Sequence, residues 1–542
     1  DSDAPVQVTI DWEDIHERLR KISIPDSHES DLLFSPDGKK LLFNATVKGV
    51  RGWYTVEFPT DLTPKLLSTS VGTRAVWSEE AKGILYLQGG SPAKLESNGK
   101  LETYRFKVAQ TISRSGWLRA GFEKAWLTMR EAWYDERFAN RNWDEVRRKY
   151  SQVAAEASDT AGLANVVELM LGELNGSHLG FYPTGVSNRP SVEGWRDETA
   201  HLGIRFVEDY AGPGLLVRDV IPGGPTDRED SQLRAGDILL SIDGTPVDPA
   251  LDLTQLLNGR MDRDIQLRIR RQPDLSAQAE KPQGEAVLQE VEEENVPMEE
   301  RELSISVRPT SYSRVRSLLY DAWIEHNRQA VEKASAGKLG YLHIRAMDMS
   351  SFFEFERQLY NVGYGREGLV IDVRDNGGGS TTDLLLTALT QPRHAITVPR
   401  GGGQGYPHDR AVYAYWSKPI LVLCNQNSYS NAEIFSHAVK TLGRGKVVGV
   451  QTAGGVVSTG SAQVNDVGRI RVPFRGWFVL GSGEDMELNG CQPDVVLWPA
   501  PGELPQGTDR QLVQGVELLL AEVGAGEEAR ELNYASQRDS AE

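Results

Sequence analysis

The sequence predicts a multidomain chain of mixed α+β class, and three observations carry that prediction. Residues 1–108 show short alternating apolar runs cut by turn residues, residues 114–174 switch to apolar spacings of three to four, and residues 311–523 alternate continuous apolar runs with helical patterns. At roughly 100–200 residues per domain, a chain of 542 residues suits about three to five domains.

In the first region LLFSPDGKKLLFNA (32–45), GWYTVEF (52–58), RAVWSEEAKGILYLQ (74–88) and LETYRFKV (101–108) are strands joined by Pro-Asp-Gly and Gly turns. The SPDGKKLLF pattern resembles a β-propeller blade. Barely two such units are present, so the region is expected to be the end of a propeller whose remainder lies upstream, a small packed sheet being the other option. A chain that begins at Asp1 is expected to be trimmed or a fragment.

The second region, 109–196, is expected to be a small helical domain. RAGFEKAWLTMREAWYD (119–135) sets Phe122, Trp126, Met129 and Trp133 on one face, and NWDEVRRKYSQVAAEA (142–157) and AGLANVVELMLGEL (161–174) follow the same period. Asn175-Gly176 then supplies a helix stop.

Residues 197–310 return to strand patterns. HLGI (201–204), VIPGGPTD (220–227) and LRAGDILLSIDGTPV (233–247) together resemble a PDZ domain, a small β-sandwich or barrel. The resemblance makes Leu202, Gly203 and Ile204 a loop whose N–H groups would capture a peptide carboxylate, unless the domain is only a spacer. Within it, 271–302 is rich in Glu, Gln and Pro and is expected to be a disordered acidic insertion. In the last region GKLGYLHIRA (337–346), GLVIDVR (368–374), PILVLCN (419–425) and KVVGVQT (446–452) are strands buried on both faces, separated by helices such as 351–361 and 431–443. A helix over 507–523 closes this α/β domain, and 524–542 is a polar tail expected to be mobile.

Composition excludes several classes of function. A formal charge of −18 argues against nucleic acid or an anionic membrane as partner, since both need clustered Lys and Arg. No apolar run approaches the roughly 20 residues that span a bilayer. Two distant cysteines, Cys424 and Cys491, exclude a disulfide framework and a four-cysteine metal site.

Three stretches can carry chemistry. In CNQNSYSNAEIFSH (424–437), Ser430 lies where a buried strand gives way to a helix; such a turn exposes a nucleophilic Oγ, although serine is also a favoured N-cap. Ser428 belongs to the loop, and Ser436 and His437 to the helix. IDVRDNGGGS (371–380) ends a strand in three glycines whose N–H groups can approach an oxyanion, or simply make a tight turn. GELNGSHLGFYP (172–183) presents His178 beside Ser177 just past a helix end.

DVRDNGGG, SYSNAEIF, GVQTAGG and ELNGCQPD, in this order, resemble the tail-specific, C-terminal-processing serine peptidases of family S41. IDWEDIHERL (10–19), GELNGSH, the interposed PDZ-like region and GTDRQLVQGVELLL (507–520) make the resemblance closest to the tricorn protease branch. It implies a crotonase-like α/β catalytic domain and a serine endopeptidase with Ser430 as nucleophile, His178 as base, Ser177 on the imidazole and Glu487 orienting Ser177. Asn431 and Gly377 or Gly378 would form the oxyanion hole; tricorn proteases have Asp-Gly where this chain has Asn431-Ala432. It also implies no metal or organic cofactor, peptide or unfolded-protein substrates, a homo-oligomer (a hexamer by analogy) and a cytoplasmic location. Pocket residues would fall within 398–415, which contains Arg400, Asp409 and Arg410 without a clear match.

Three alternatives stand beside this. A Ser–Lys processing peptidase would carry its lysine about 25 positions after the serine, where this chain has Gly455. A non-catalytic scaffold using its PDZ and propeller parts would be favoured by a broken Ser430, His178 and Glu487 set, and all three are present. A crotonase-like acyl-CoA enzyme leaves the PDZ-like region and Ser430 unexplained.

Overall fold

A computed structural model describes residues 9–18, 28–58, 60–80, 82–109, 111–185, 198–261, 263–271, 301–392, 394–402, 405 and 414–524. The acidic insertion, apart from its ends Arg271, Arg301 and Glu302, lies outside them, as do Asp409, Arg410 and all of the tail but Gly524. The chain divides into two compact units, Asp1–Ile112 and Ser113–Glu542.

The first unit holds two four-stranded antiparallel sheets, each a meander in chain order. Ser30–Phe34 through Asp61–Ser68 make one, and Thr73–Ser78 through Leu101–Thr103 the other. The Pro-Asp-Gly turn works as expected: Ser35 Oγ donates to Asp37 Oδ1 at 2.6 Å, and Gly38 takes φ 69°. Trp53 packs edge-on to Tyr86 across the two sheets, ring centroids 6.0 Å apart.

In the second unit the helices Arg114–Ala132, Trp143–Ala155 and Thr160–Gly172 bury Phe122, Trp126, Met129 and Val167. Each begins on a side-chain cap, from Ser113, Asn142 and Asp159. The third helix stops at Gly172, ahead of the Asn175-Gly176 signal; Asn175 instead takes φ 47° in the loop beyond. The PDZ-like region forms an antiparallel sheet in the order Ile204–Phe206, Leu215–Val220, Ile238–Ile242, Ile265–Arg271, Arg301–Val307.

The α/β region is built on five parallel strands in the order Leu339–His343, Gly368–Asp372, Ile420–Cys424, Gly445–Gly449, Val495–Val496. Helices Met349–Asn361, Thr382–Thr390 and Asn431–Thr441 cover one face. Tyr312–Ala334 and Arg510–Gly524 cover the other, so the middle strands are sealed on both sides and read as unbroken apolar runs.

A further three-stranded antiparallel sheet joins the helical and α/β regions. Gly180–Pro183, directly after His178, pairs with Gly468–Arg475, which pairs in turn with Ser458–Val464. Val464, Val467 and Ile470, all 0% exposed, enter the same apolar core as Leu118, Phe122 and Leu163 of the helices. At roughly 1.5–3 kcal/mol for each fully buried aliphatic side chain, this shared core fixes the loop bearing His178.

Candidate active site

Ser430 and His178 line one cleft of about 610 Å³, together with Gly377, Gly378, Gly379, Tyr429, Asn431, Arg471 and Arg475. Among the described residues no hydrogen bond joins the Ser430 and His178 side chains.

Ser430 stands between the strand Ile420–Cys424 and the helix Asn431–Thr441, with φ 56° and ψ −116°. A non-glycine residue there carries roughly 1–3 kcal/mol of strain, so the surroundings must hold it. Glu433 does so. Its buried carboxylate accepts the N–H of Ser430 (2.9 Å), Gly454 (2.5 Å) and Gly455 (2.8 Å) and the hydroxyl of Thr452 (2.6 Å). Glu433 carries a signal in the sequence, since Ser430-Asn-Ala-Glu433 has the spacing of a capping box. Ser428 is fully buried and donates to the carbonyl of Val373 at 2.8 Å, while Ser436 donates to Ala432 within the helix; neither lines the cleft.

His178, with φ 60°, leans on the Tyr429 ring at 4.9 Å between centroids and 23° between planes. Its Nδ1 lies 2.7 Å from Ser177 Oγ and 3.3 Å from the Tyr429 hydroxyl. Burial, and secondly the nearby Arg471 guanidinium, push its pKa down to about 4. Glu487 meets Ser177 by a route the sequence did not suggest. Its Oε1 accepts the Ser177 backbone N–H at 2.5 Å, not the hydroxyl, while Oε2 accepts Val456 and Val457 N–H at 3.0 and 3.3 Å.

The glycine loop after Gly368–Asp372 reaches the Ser430 turn. Gly378 has φ 89°, and a β-carbon there would stand 2.6 Å from both Ser430 Cβ and the Tyr429 carbonyl oxygen. Its N–H donates to Asn376 Oδ1 at 2.9 Å, so of the two glycines considered for an oxyanion hole Gly377 is the one left to donate. Asn431 is anchored by its side chain and carbonyl, which accept the N–H and hydroxyl of Thr382, both at 2.8 Å.

Around the PDZ-like loop, Leu202 and Ile204 are core residues, and the Gly203 N–H already donates to His201 Nδ1 at 2.9 Å. Arg400 lies exposed in a turn outside the cleft lining. Among the described residues Asp14, His16 and Glu17, all exposed, bring possible metal ligands within 4.8 Å of one another; they belong to the first unit. No helix among the described residues is long and apolar enough to cross a membrane.

A parallel sheet with a serine at a strand-to-helix turn, a glycine loop beside it and a histidine brought in by a helical region is the arrangement that the resemblance to S41 peptidases leads one to expect. Comparison with known proteins agrees. The peptidase family S41 description matches residues 338–497, the tricorn protease C1 domain 119–172 and the PDZ domain 200–292. Tricorn protease homolog 1 of Streptomyces coelicolor is 28% identical over 425 residues, which is 77% of this chain and 36% of that protein. The tricorn protease of Thermoplasma volcanium is 26% identical over 74% of this chain and 36% of its own length, and the Saccharolobus solfataricus homolog 26% over 94% and 46%. The crystal structure of the tricorn protease shares the fold with a TM-score of 0.62 at 21% identity, covering 92% of this chain and 46% of that one. The chain is thus similar to tricorn proteases over most of its length, and its residues 338–497 match peptidase family S41. It spans between a third and a half of the length of these relatives.

Proposed function

We propose that this chain hydrolyses peptide bonds as a tricorn-type serine endopeptidase through an acyl-enzyme. The observation that carries the proposal is the single cleft lined by Ser430, His178 and the glycine loop, each supplied by a different stretch of chain.

With Nδ1–H donated to Ser177 Oγ, His178 Nε2 is unprotonated and takes the Ser430 hydroxyl proton as Oγ attacks the scissile carbonyl carbon. The oxyanion is met by the N–H groups of Asn431 and Gly377. Collapse breaks the C–N bond, and the imidazolium returns its proton to the departing amine. Water then attacks the ester with His178 again as base, releasing the acid and restoring Ser430. Glu487 acts by holding the Ser177 backbone, and Glu433 by holding the strained Ser430 turn.

In the same reading the chain divides into domains over 1–108, 109–196, 197–310, 311–523 and a tail over 524–542. The two sheets of the first unit are blades of a propeller, and the catalytic layer is crotonase-like. Substrates are peptides or unfolded proteins, and the working form is a cytoplasmic homo-oligomer. Gly455 disfavours the Ser–Lys alternative, because a β-carbon there would meet the Tyr429 ring at 2.2 Å.

Ser430→Ala should abolish both peptide hydrolysis and labelling by a fluorophosphonate while far-UV circular dichroism stays unchanged. Persistent labelling of that variant would remove Ser430 from the role.

A further inference from the structure

Two arginines in the cleft are assigned no part in the chemistry above. Arg471 and Arg475 both stand on the strand Gly468–Arg475, and both line the cleft. Arg471 is partly buried, and its Nε and Nη2 each lie 3.3 Å from Thr459 Oγ1. Arg475 contacts Ser458 Oγ at 3.4 Å through the same two nitrogens and overlies the Phe474 ring at 5.7 Å. The ion pairs found among the described residues include neither side chain, in a chain of net charge −18 where carboxylates are plentiful. Their partners are hydroxyls, which leave both positive charges uncompensated. Asp383 also lines the cleft, so the lining carries two cations to one carboxylate.

Arg471, held partly out of water by a neutral hydroxyl, is an anion receptor with exposed Arg475 on the same strand, and the planar fork of a guanidinium matches a carboxylate bidentately. Resting on the peptidase reading, we infer that Arg471 and Arg475 form a substrate subsite that selects peptides bearing a carboxylate close to the scissile bond. The anion acts twice. It binds the two guanidinium groups, and by neutralising Arg471 it removes a positive charge beside the imidazolium that His178 becomes during proton transfer. Carboxylate-bearing peptides therefore gain in kcat as well as in KM.

The test uses the whole chain and matched peptides: a neutral amide, the same amide with Glu placed at successive positions, and the neutral sequence with a free terminal carboxylate. Cleavage of the best carboxylate peptide should exceed that of the neutral amide by about tenfold in kcat/KM, the size expected of one charge-assisted hydrogen bond. The ratio should shrink as salt rises and should fall towards one in Arg471→Gln and Arg475→Gln. An advantage for side-chain Glu places the anion within the chain, an advantage for the free terminus places it at the end, and either upholds the subsite. Equal cleavage of all three peptides, or an unchanged ratio in both variants, overturns it while leaving the peptidase reading intact. Binding of the same peptides to Ser430→Ala, followed by fluorescence anisotropy, reads the preference without turnover. Equal affinities there overturn the subsite whether or not any peptide is cleaved, whereas absence of all cleavage and of Ser430 labelling counts against the peptidase reading alone.

Discussion

A β-carbon on Gly455 would lie 2.2 Å from Tyr429 Cε2, and the ring that excludes it stacks on His178. A side chain at the position where a Ser–Lys enzyme is expected to carry its lysine is thus excluded by the ring that the imidazole stacks on. Burial and Arg471 lower the His178 pKa to about 4, and Tyr429 and Glu487 behind Ser177 are further titratable groups around it. A depressed pKa means the folded chain resists protonation that the unfolded chain accepts near the ordinary 6.5. The stabilisation from this histidine is therefore complete above 6.5 and lost as pH falls towards 4. For activity, the acid limb of kcat/KM on a neutral peptide should fall below pH 5.5, nearer 4 than 6.5, and should move upward in Arg471→Gln. A limb centred at 6.5–7 would show that the base is solvated or is another group. Glu433 makes a second prediction. Its four bonds all come from donors, so Glu433→Gln turns an amide NH₂ against N–H or O–H groups. The change should cost about 1–3 kcal/mol in denaturant unfolding and lower kcat, since Ser430 loses its restraint. Unchanged stability and kcat would mean that the turn is held by other contacts. The capping-box spacing at 430–433 made this residue findable in sequence; the three bonds it adds beyond the helix were not, because they come from a loop some twenty residues downstream.

Secondary elements differed in how far they could be read from sequence, and the difference follows from where each buries its side chains. Gly368–Asp372 and Ile420–Cys424 are buried at every position, so they appear as apolar runs, and the helices Arg114–Ala132 and Trp143–Ala155 keep a core stripe. Gly180–Pro183 has no such signature. Four residues are too few for a period, and its partner Gly468–Arg475 lies almost three hundred residues away. Yet this short strand, not the helices alone, carries His178 to the α/β region. Ile470 pairs with Phe181 and is fully buried in the core shared by the two regions. Ile470→Ala should destabilise the second unit by about 2–5 kcal/mol in denaturant titration. Because the cavity opens beneath the strand that follows His178, kcat/KM should drop even where the protein remains folded. A variant that loses stability but keeps full kcat/KM would show that the His178 loop is positioned independently of this sheet. The PDZ-like loop shows the opposite limit. Its HLGI sequence was legible, but that His201 occupies the Gly203 N–H depends on a side-chain rotamer no sequence pattern reports.

At the scale of the whole second unit, Ser430 and His178 line one cleft only because the helical and α/β regions share a sheet and a core. Sequence resemblance could name both residues, but only packing brings them to one cleft, since 178 and 430 lie on elements with no local reason to meet. That dependence can be measured as non-additivity. If His178 serves solely to activate Ser430, removing either one abolishes the same step, and removing the second changes little. His178→Ala should lower kcat by about 10³–10⁴, Ser430→Ala by at least as much, and the double variant should match the worse single variant instead of multiplying the two losses. The measurement is single-turnover hydrolysis of a fluorogenic peptide by the three variants, each first checked for folding by circular dichroism. Losses that multiply would mean that His178 and Ser430 contribute independently, one to binding and the other to chemistry. The base would then have to be sought elsewhere in the cleft lining, where the Tyr429 hydroxyl, already against the imidazole, is the next group within reach.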